Sequence, residues 1–189
     1  GSGEREFQTM GVRALKKRIA IIGASGQLGT ALQFALPGEI IPLGHQQIEL
    51  TNADSVNLSL SQSRPDLVIN TAAYNFVDRA ETDPETAMLV NAIGPRNVAQ
   101  FCASQDIPVV HLSTDYVFSG SESSRTTKEI CSTPYSEEDS PNPLSVYAVS
   151  KLAGEQLVRQ CGPRHFILRT CGLYGPARAP GTRNFVATM

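Results

Sequence analysis

Unbroken apolar runs alternate along this chain with segments whose apolar residues recur every three or four positions. The runs inside Arg18–Gly23 ("RIAIIG"), Asp66–Asn70 ("DLVIN") and Pro108–Ser113 ("PVVHLS") are continuous, the pattern of strands buried on both faces. "EIIPL" (39–43) and "HFILRT" (165–170) predict two more strands, and "QIEL" (47–50) a short additional one. Between them, "QLGTALQFAL" (27–36) predicts a helix stopped by Pro37-Gly38, and "ADSVNLSLSQS" (53–63) a helix capped by Asn52. Thr82–Gln105 is mostly helical, starting at Asp83-Pro84. A last helix carries Val146, Val149, Ala153 and Leu157 at helical spacing, with Asn142 as N-cap, Pro143 at the first position and Gly162-Pro163 as the stop. Strands alternating with helices predict an α/β fold, a doubly wound parallel sheet. Right-handed crossovers then gather the C-terminal ends of the strands on one edge, where such sheets bind ligands.

Composition narrows the function classes. The chain has 189 residues, 41% of them hydrophobic and 18% charged, enough for one domain with a sizeable core. A net charge of -2 gives no basic footprint for nucleic acid. No apolar run is long enough to span a bilayer, and "KKRIAIIG" breaks too early at Gly23 for a secretory signal. Cys102, Cys131, Cys161 and Cys171 form no CxxC pair and no metal-ligand spacing with the three histidines, so reduced thiols in the cytoplasm and no metal site are expected. Residues 1–15 read as a disordered N-terminal segment or tag, with Gly1-Ser2 as a cloning scar, and 16–189 as the folded domain. The polar, aperiodic stretch Gly120–Thr133 reads as a surface loop.

Two patterns carry chemistry. "GASGQLG" sets Gly23, Gly26 and Gly29 where the first strand meets the first helix. Glycines there permit a tight turn and let a pyrophosphate approach backbone amides at a helix N-terminus. The spacing is GxxGxxG rather than GxGxxG, and the strand–turn–helix context gives it meaning. The second strand ends in Gly44, His45 and Gln46, without the carboxylate that would accept from an adenine ribose 2′-hydroxyl. This leans towards NADP(H), with NAD(H) as the alternative. In "NPLSVYAVSKLAGE", Tyr147 and Lys151 stand at i and i+4 on one helix face. An ammonium beside a phenol lowers the phenol's pKa, which would suit proton transfer near neutral pH. Read alone, the pair is far more often a surface tyrosine near a solvated lysine.

The glycine loop, "NTAAYNFVDRAE", "HLSTDYVF", "PYSEEDSPNPLSVY" and "YAVSK" occur in one order with consistent spacing. Together they resemble the extended short-chain dehydrogenase/reductases, and among them the dTDP-4-dehydrorhamnose reductase family, over Lys17–Met189. The resemblance implies an NAD(P)-binding Rossmann fold. It also implies NADP(H)-dependent reduction of a 4-keto nucleotide sugar, dTDP-4-dehydro-L-rhamnose first among the candidates. Another sugar-nucleotide reductase or epimerase, or a non-catalytic NADP-binding regulatory subunit, stands as the alternative. A homodimer is a further partner expectation. Carried over residue by residue, the catalytic set falls on Thr114, Tyr147 and Lys151, with Asn91 as the helix asparagine of the superfamily's tetrad. Cofactor contacts fall on Gly23, Ser25, Gly26, Gln27, Leu28 and Gly29, on Glu49 and Leu50 near the adenine, on Ala72, Ala73 and Tyr74 after the third long strand, and on Lys151 at the nicotinamide ribose. Outside the resemblance, Thr114 reads as a turn-capping hydroxyl, Asn91 as a helix-surface amide, and Ala72 and Ala73 as packing.

Departures from the family pattern cluster on the substrate side. Ser119 replaces an aspartate, Ala148 a glycine, and Gly172 a tryptophan that contacts substrate, while the loop after Gly120 is longer. The sequence ends at "TRNFVATM", where the family begins a further helix and continues for roughly a hundred residues, the span of a domain or lobe. The expectation is a fragment or short relative that binds NADP(H) but reduces nucleotide sugars poorly by itself.

Overall fold

A computed structural model describes residues 16–120 and 134–175. The expectations for residues 1–15, for most of the polar loop with Cys131, and for the chain beyond Gly175 lie outside the described residues. Five strands, β1 (Arg18–Ile22), β2 (Glu39–Leu43), β3 (Leu67–Asn70), β4 (Val109–Thr114) and β5 (His165–Thr170), form one parallel sheet in the order β2-β1-β3-β4-β5. Period-two alternation divides β1 between two apolar layers. Ala20 and Ile22 face a large cluster with Val68 of β3, Val109 of β4, and Val56, Leu60, Val98, Phe101 and Val158 brought by α2 (Ala53–Ser63), α5 (Gly94–Ser104) and α6 (Val146–Cys161). Ile19 and Ile21 face a smaller cluster under α1 (Gln27–Ala35) with Leu32 and Leu36. A side chain such as Ile21, fully buried, contributes roughly 1.5–3 kcal/mol. β5 is an edge strand with Phe166 and Leu168 exposed, so its apolar run does not signify burial on both faces. Among the described residues no helix is long and apolar enough to cross a membrane.

Three local expectations change, and one short helix is added. "QIEL" is a turn, because Gln47 and Ile48 donate their amides to the Gly44 carbonyl while Ile48 and Leu50 drop into the core. A four-residue helix, α3 (Val77–Ala80), is too short to leave a period in the sequence. The α6 N-cap is Ser145, not Asn142: Ser145 Oγ accepts from the Ala148 amide at 3.2 Å, and Glu81 Oε1 accepts from the Val146 amide at 2.9 Å. The Asn142 amide is spent on the Val117 carbonyl at 2.9 Å, which holds that stretch outside the helix.

The long helix expected over Thr82–Gln105 is also divided. Asp83 caps α4 (Pro84–Met88) as read, but Leu89–Ile93 is a π-helical turn before α5 begins. Pro95 gives the reason. It has no N–H for the Asn91 carbonyl four residues back, and its ring crowds that oxygen, so the helix widens there. The Asn91 carbonyl is instead covered by Gly154 of α6, where a Cβ would lie 2.1 Å from it. Both partners are backbone, so relief requires moving α6 off the π turn. Gly154→Ala is expected to lower stability by roughly 1–3 kcal/mol or more, measured by thermal unfolding. An unchanged melting temperature would show that the two helices are not in this close contact.

Candidate functional site

The strand order reverses between β1 and β3, and a crevice opens there at their C-terminal ends. The glycine loop builds one wall. Gly23 has φ +79°, and a Cβ on it would stand 2.7 Å from the Ala72 amide nitrogen and 2.8 Å from Thr71 Oγ1, so only glycine lets the β1 and β3 ends meet. Gly29 sits against the Gly23 carbonyl, 2.3 Å from where its Cβ would be, which seats α1 on the loop. Gln33 fixes that seat by donating Nε2 to the Ala24 carbonyl at 2.7 Å. α1 is capped by Gly26, which offers no side-chain acceptor, and Gln27, Leu28 and Gly29 of its first turn line the crevice. Such an uncapped helix start favours an anion.

The opposite wall carries Thr114, Tyr147 and Lys151, so one crevice of about 360 Å³ unites the glycine loop with these three side chains. Thr114 ends β4. Its hydroxyl accepts from the Tyr116 amide at 3.2 Å and donates to Asp115 Oδ1 at 3.2 Å, so it does cap the turn while also bonding the Tyr147 phenol. Tyr147 and Lys151 lie one turn apart on α6 and are 9% and 2% exposed. The expected lowering of the tyrosine by its lysine is not what this geometry gives. Lys151 Nζ donates to the Leu112 carbonyl at 2.6 Å. Burial pushes the Tyr147 phenol above its ordinary pKa, its bond with Thr114 pulls it back, and Tyr116 and Asp115 push it up again. The phenol therefore stays protonated at neutral pH and is poised as an acid. Burial brings Lys151 down to about 8, the Glu155 carboxylate one turn on holding it up against that pull.

The remaining predicted positions divide. Ala73 lines the crevice, whereas Ala72 is partly buried, packing on the core while its amide donates to Asn70 Oδ1 at 3.1 Å. Ser25 is exposed at the loop tip. Glu49 is exposed, its carboxylate held low by the Thr51 amide and hydroxyl at 3.1 and 2.9 Å. Leu50 is a core residue under Gly94 rather than a wall of the crevice. Tyr74 turns away from the crevice, packing against Ala80, Ala87 and Tyr147 with its hydroxyl 3.4 Å from Asp83 Oδ2. Asn91 is not a surface amide: it is 0% exposed. Its Oδ1 accepts from the Tyr74 amide at 2.8 Å, and its Nδ2 donates to the Tyr74 carbonyl at 3.1 Å and to Ser150 Oγ at 3.0 Å. Ser150 Oγ in turn donates to the Tyr147 carbonyl at 2.7 Å. Asn91 thus ties the Tyr74 backbone to α6 at Ser150 and does not line the crevice.

Sequence reading missed several groups at this site. Tyr116, beside Thr114, lines the crevice and stands edge-on to Tyr147 with ring centroids 6.1 Å apart. Beyond Tyr116 a larger cavity of about 690 Å³ opens, walled by Arg169 and by the stacked rings of Phe118 and Tyr135, 4.4 Å apart. Its adjacency to Thr114 in "STDYVF" was the available signal. Gly172 lines the crevice with nothing within 4 Å of its Cβ position, so the missing tryptophan leaves open space there. His111 is fully buried, with Nε2 unpartnered and its pKa well below the ordinary value through burial and the Lys151 charge.

A family model described as the RmlD substrate binding domain matches residues 17–189. The chain belongs to that family. Among its relatives, the dTDP-4-dehydrorhamnose reductase of Mycolicibacterium smegmatis is 39% identical over 178 residues, which cover 93% of this chain and 50% of that protein. The enzyme of the same name from Sinorhizobium fredii is 41% identical over 159 residues, covering 83% and 51%. The chain spans about half the length of the curated relatives it matches. The crystal structure of dTDP-4-dehydrorhamnose reductase from Bacillus anthracis in complex with NADP superposes with a TM-score of 0.81 at 38% identity, covering 92% of this chain and 58% of that one. RMD from Pseudomonas aeruginosa, complexed with NADPH, gives 0.71 at 28% identity, covering 86% and 56%. The RmlD-family fold is therefore an α/β parallel sheet of the Rossmann type in this chain too.

Proposed function

We propose that this chain carries the cofactor crevice and proton donor of an NADP(H)-dependent reductase of a 4-keto nucleotide sugar, dTDP-4-dehydro-L-rhamnose being the substrate that best fits its relatives' names. One observation carries the reading: Thr114, Tyr147 and Lys151 share a crevice with the glycine loop. The residues present fit a dinucleotide. Gly26 and Gly29 keep side chains off the crevice wall, and the uncapped start of α1 suits a pyrophosphate beside Ala73. Relatives solved with NADP and NADPH support the same cofactor.

When bound, the nicotinamide supplies a hydride to the carbonyl carbon. The chain's own residues do the rest. Tyr147 gives its phenolic proton to the carbonyl oxygen, and the Thr114 hydroxyl bonds that oxygen and holds it in place. Lys151 brings positive charge to a dry wall of the crevice, where charge acts more strongly than in water. The cavity beyond Tyr116 gives room for parts of the substrate remote from the reacting carbon, whose binding funds orientation. Three thiols, Cys102, Cys161 and Cys171, are unpaired, in keeping with a cytoplasmic setting.

The test is oxidation of NADPH by the chain with a panel of 4-keto nucleotide sugars. Turnover with at least one supports the proposal; cofactor binding without oxidation by any, in the chain alone and in the chain fused to the C-terminal half of a full-length relative, would overturn it in favour of a non-catalytic NADP-binding subunit. Tighter binding of NADPH than of NADH is also expected. No carboxylate stands at Gly44, His45 or Gln46, and the nearby Glu49 carboxylate is taken by Thr51. Fluorescence titration with both cofactors decides it, and a clear NADH preference would count against this account of the β2 end.

A further inference from the structure

We infer that Glu155 is a positioning residue for the reaction centre, a single buried carboxylate that locks β4, β5 and α6 together and keeps Lys151 cationic. Glu155 is 0% exposed. Its Oε1 accepts from Ser113 Oγ at 2.6 Å and from Arg169 Nε at 2.9 Å, and its Oε2 accepts from Arg169 Nη2 at 2.7 Å. Arg159 Nη2 approaches Oε2 at 3.5 Å from the solvent side of α6. The forked Arg169 contact fixes the carboxylate in direction as well as distance. Each partner adjoins a crevice residue. Ser113 precedes Thr114, Arg169 precedes Thr170, Cys171 and Gly172, and Glu155 lies one turn after Lys151 and two after Tyr147.

Those three elements must be held mutually for Thr114 and Tyr147 to meet, since they come from different parts of the chain. Arg169 is in turn laid over the Phe118 ring, 4.9 Å from its centroid, so the lock extends to the wall of the larger cavity. Lys151 is faced by His111 from β4 and by Tyr147 and Glu155 from its own helix. Of these only Glu155 is a carboxylate, and the arginines it binds, Arg169 and Arg159, bring the opposing charge. Removal of the carboxylate leaves the lysine with burial and with the unbalanced charge of Arg169, both of which favour the neutral amine.

What Lys151 is for rests on the reductase reading; its protonation does not, so the two can fail separately. The chain contains four lysines, Lys16, Lys17, Lys128 and Lys151. Their ε-carbon signals, followed by NMR against pH in ¹³C-lysine-labelled protein, give each titration without cofactor or substrate, and the signal lost in Lys151→Met assigns the one of interest. Glu155→Gln keeps the volume and removes the charge. Glu155→Met/Arg169→Met removes the whole pair, so that no unpaired arginine is left buried. In Glu155→Gln, Lys151 is expected to titrate lower than in the wild type by about one pH unit or more, and the alkaline limb of NADPH oxidation to move down with it; in the double variant, which loses both charges of the pair, the shift is expected in the same direction but smaller. A Lys151 titration unchanged in either folded variant would overturn the inference. Unfolding of both variants would overturn it as well, by making the pair a matter of stability alone.

Discussion

Tyr147→Phe is expected to lose turnover by roughly 10²–10⁴-fold, the usual contribution of a positioned acid, while NADPH still binds. The substitution removes one oxygen and leaves the ring. Packing against Ala80 and Ala87 and the edge-on contact with Tyr116 survive, so the fold should change little. What is lost is the only phenol lining the crevice, among the described residues, that also bonds Thr114. Single-turnover oxidation of NADPH, with cofactor affinity measured in parallel, separates the two effects. Near-normal turnover in the variant would remove Tyr147 from the reaction.

Lys151→Met should abolish most turnover and yet stabilise the protein. Burial lowers the lysine from 10.5 to about 8. That difference, at about 1.4 kcal/mol per unit, means that keeping the ammonium buried costs about 3 kcal/mol at neutral pH. Methionine fills similar volume, but it forfeits the bond to the Leu112 carbonyl, worth about 1 kcal/mol. A net gain of about 2 kcal/mol follows at pH 7. The pH dependence has a definite sign. Below about 8 the lysine is charged folded and unfolded, and the penalty is complete. Between about 8 and 10.5 the unfolded chain binds more protons, so wild-type stability rises with pH and the advantage of the variant shrinks. Chemical denaturation at pH 7 and pH 10 measures both. A variant less stable than wild type at pH 7 would show that Lys151 is not strained by its burial.

Both predictions depend on features of different legibility. Tyr147 and Lys151 could be paired from the sequence because helix geometry is local and four residues make one turn. The direction of the tyrosine's pKa could not be read that way. It follows from burial and from Thr114, Asp115 and Tyr116, which reach it only through β4. Asn91 shows the same division. Its position in a helix was legible, but its burial and its bonds to Tyr74 and Ser150 exist only once α6 packs on the π turn.

The sequence by itself determined the α/β class, the five strands, α1 and α2, the caps Asn52 and Asp83, and the glycine loop, since each rests on short-range sterics, period or backbone hydrogen bonding. Only the tertiary structure decided the rest. "QIEL" became a turn because Gly44 lay within reach, Asn142 gave up its cap because Val117 took its amide, and Leu50 went to the core because Gly94 left room. The strand order that makes the crevice, and the carboxylate of Glu155 shared among three elements, are pairings between residues distant in the chain. No local propensity encodes those; they are selected by burying apolar surface while leaving few buried polar groups without a partner.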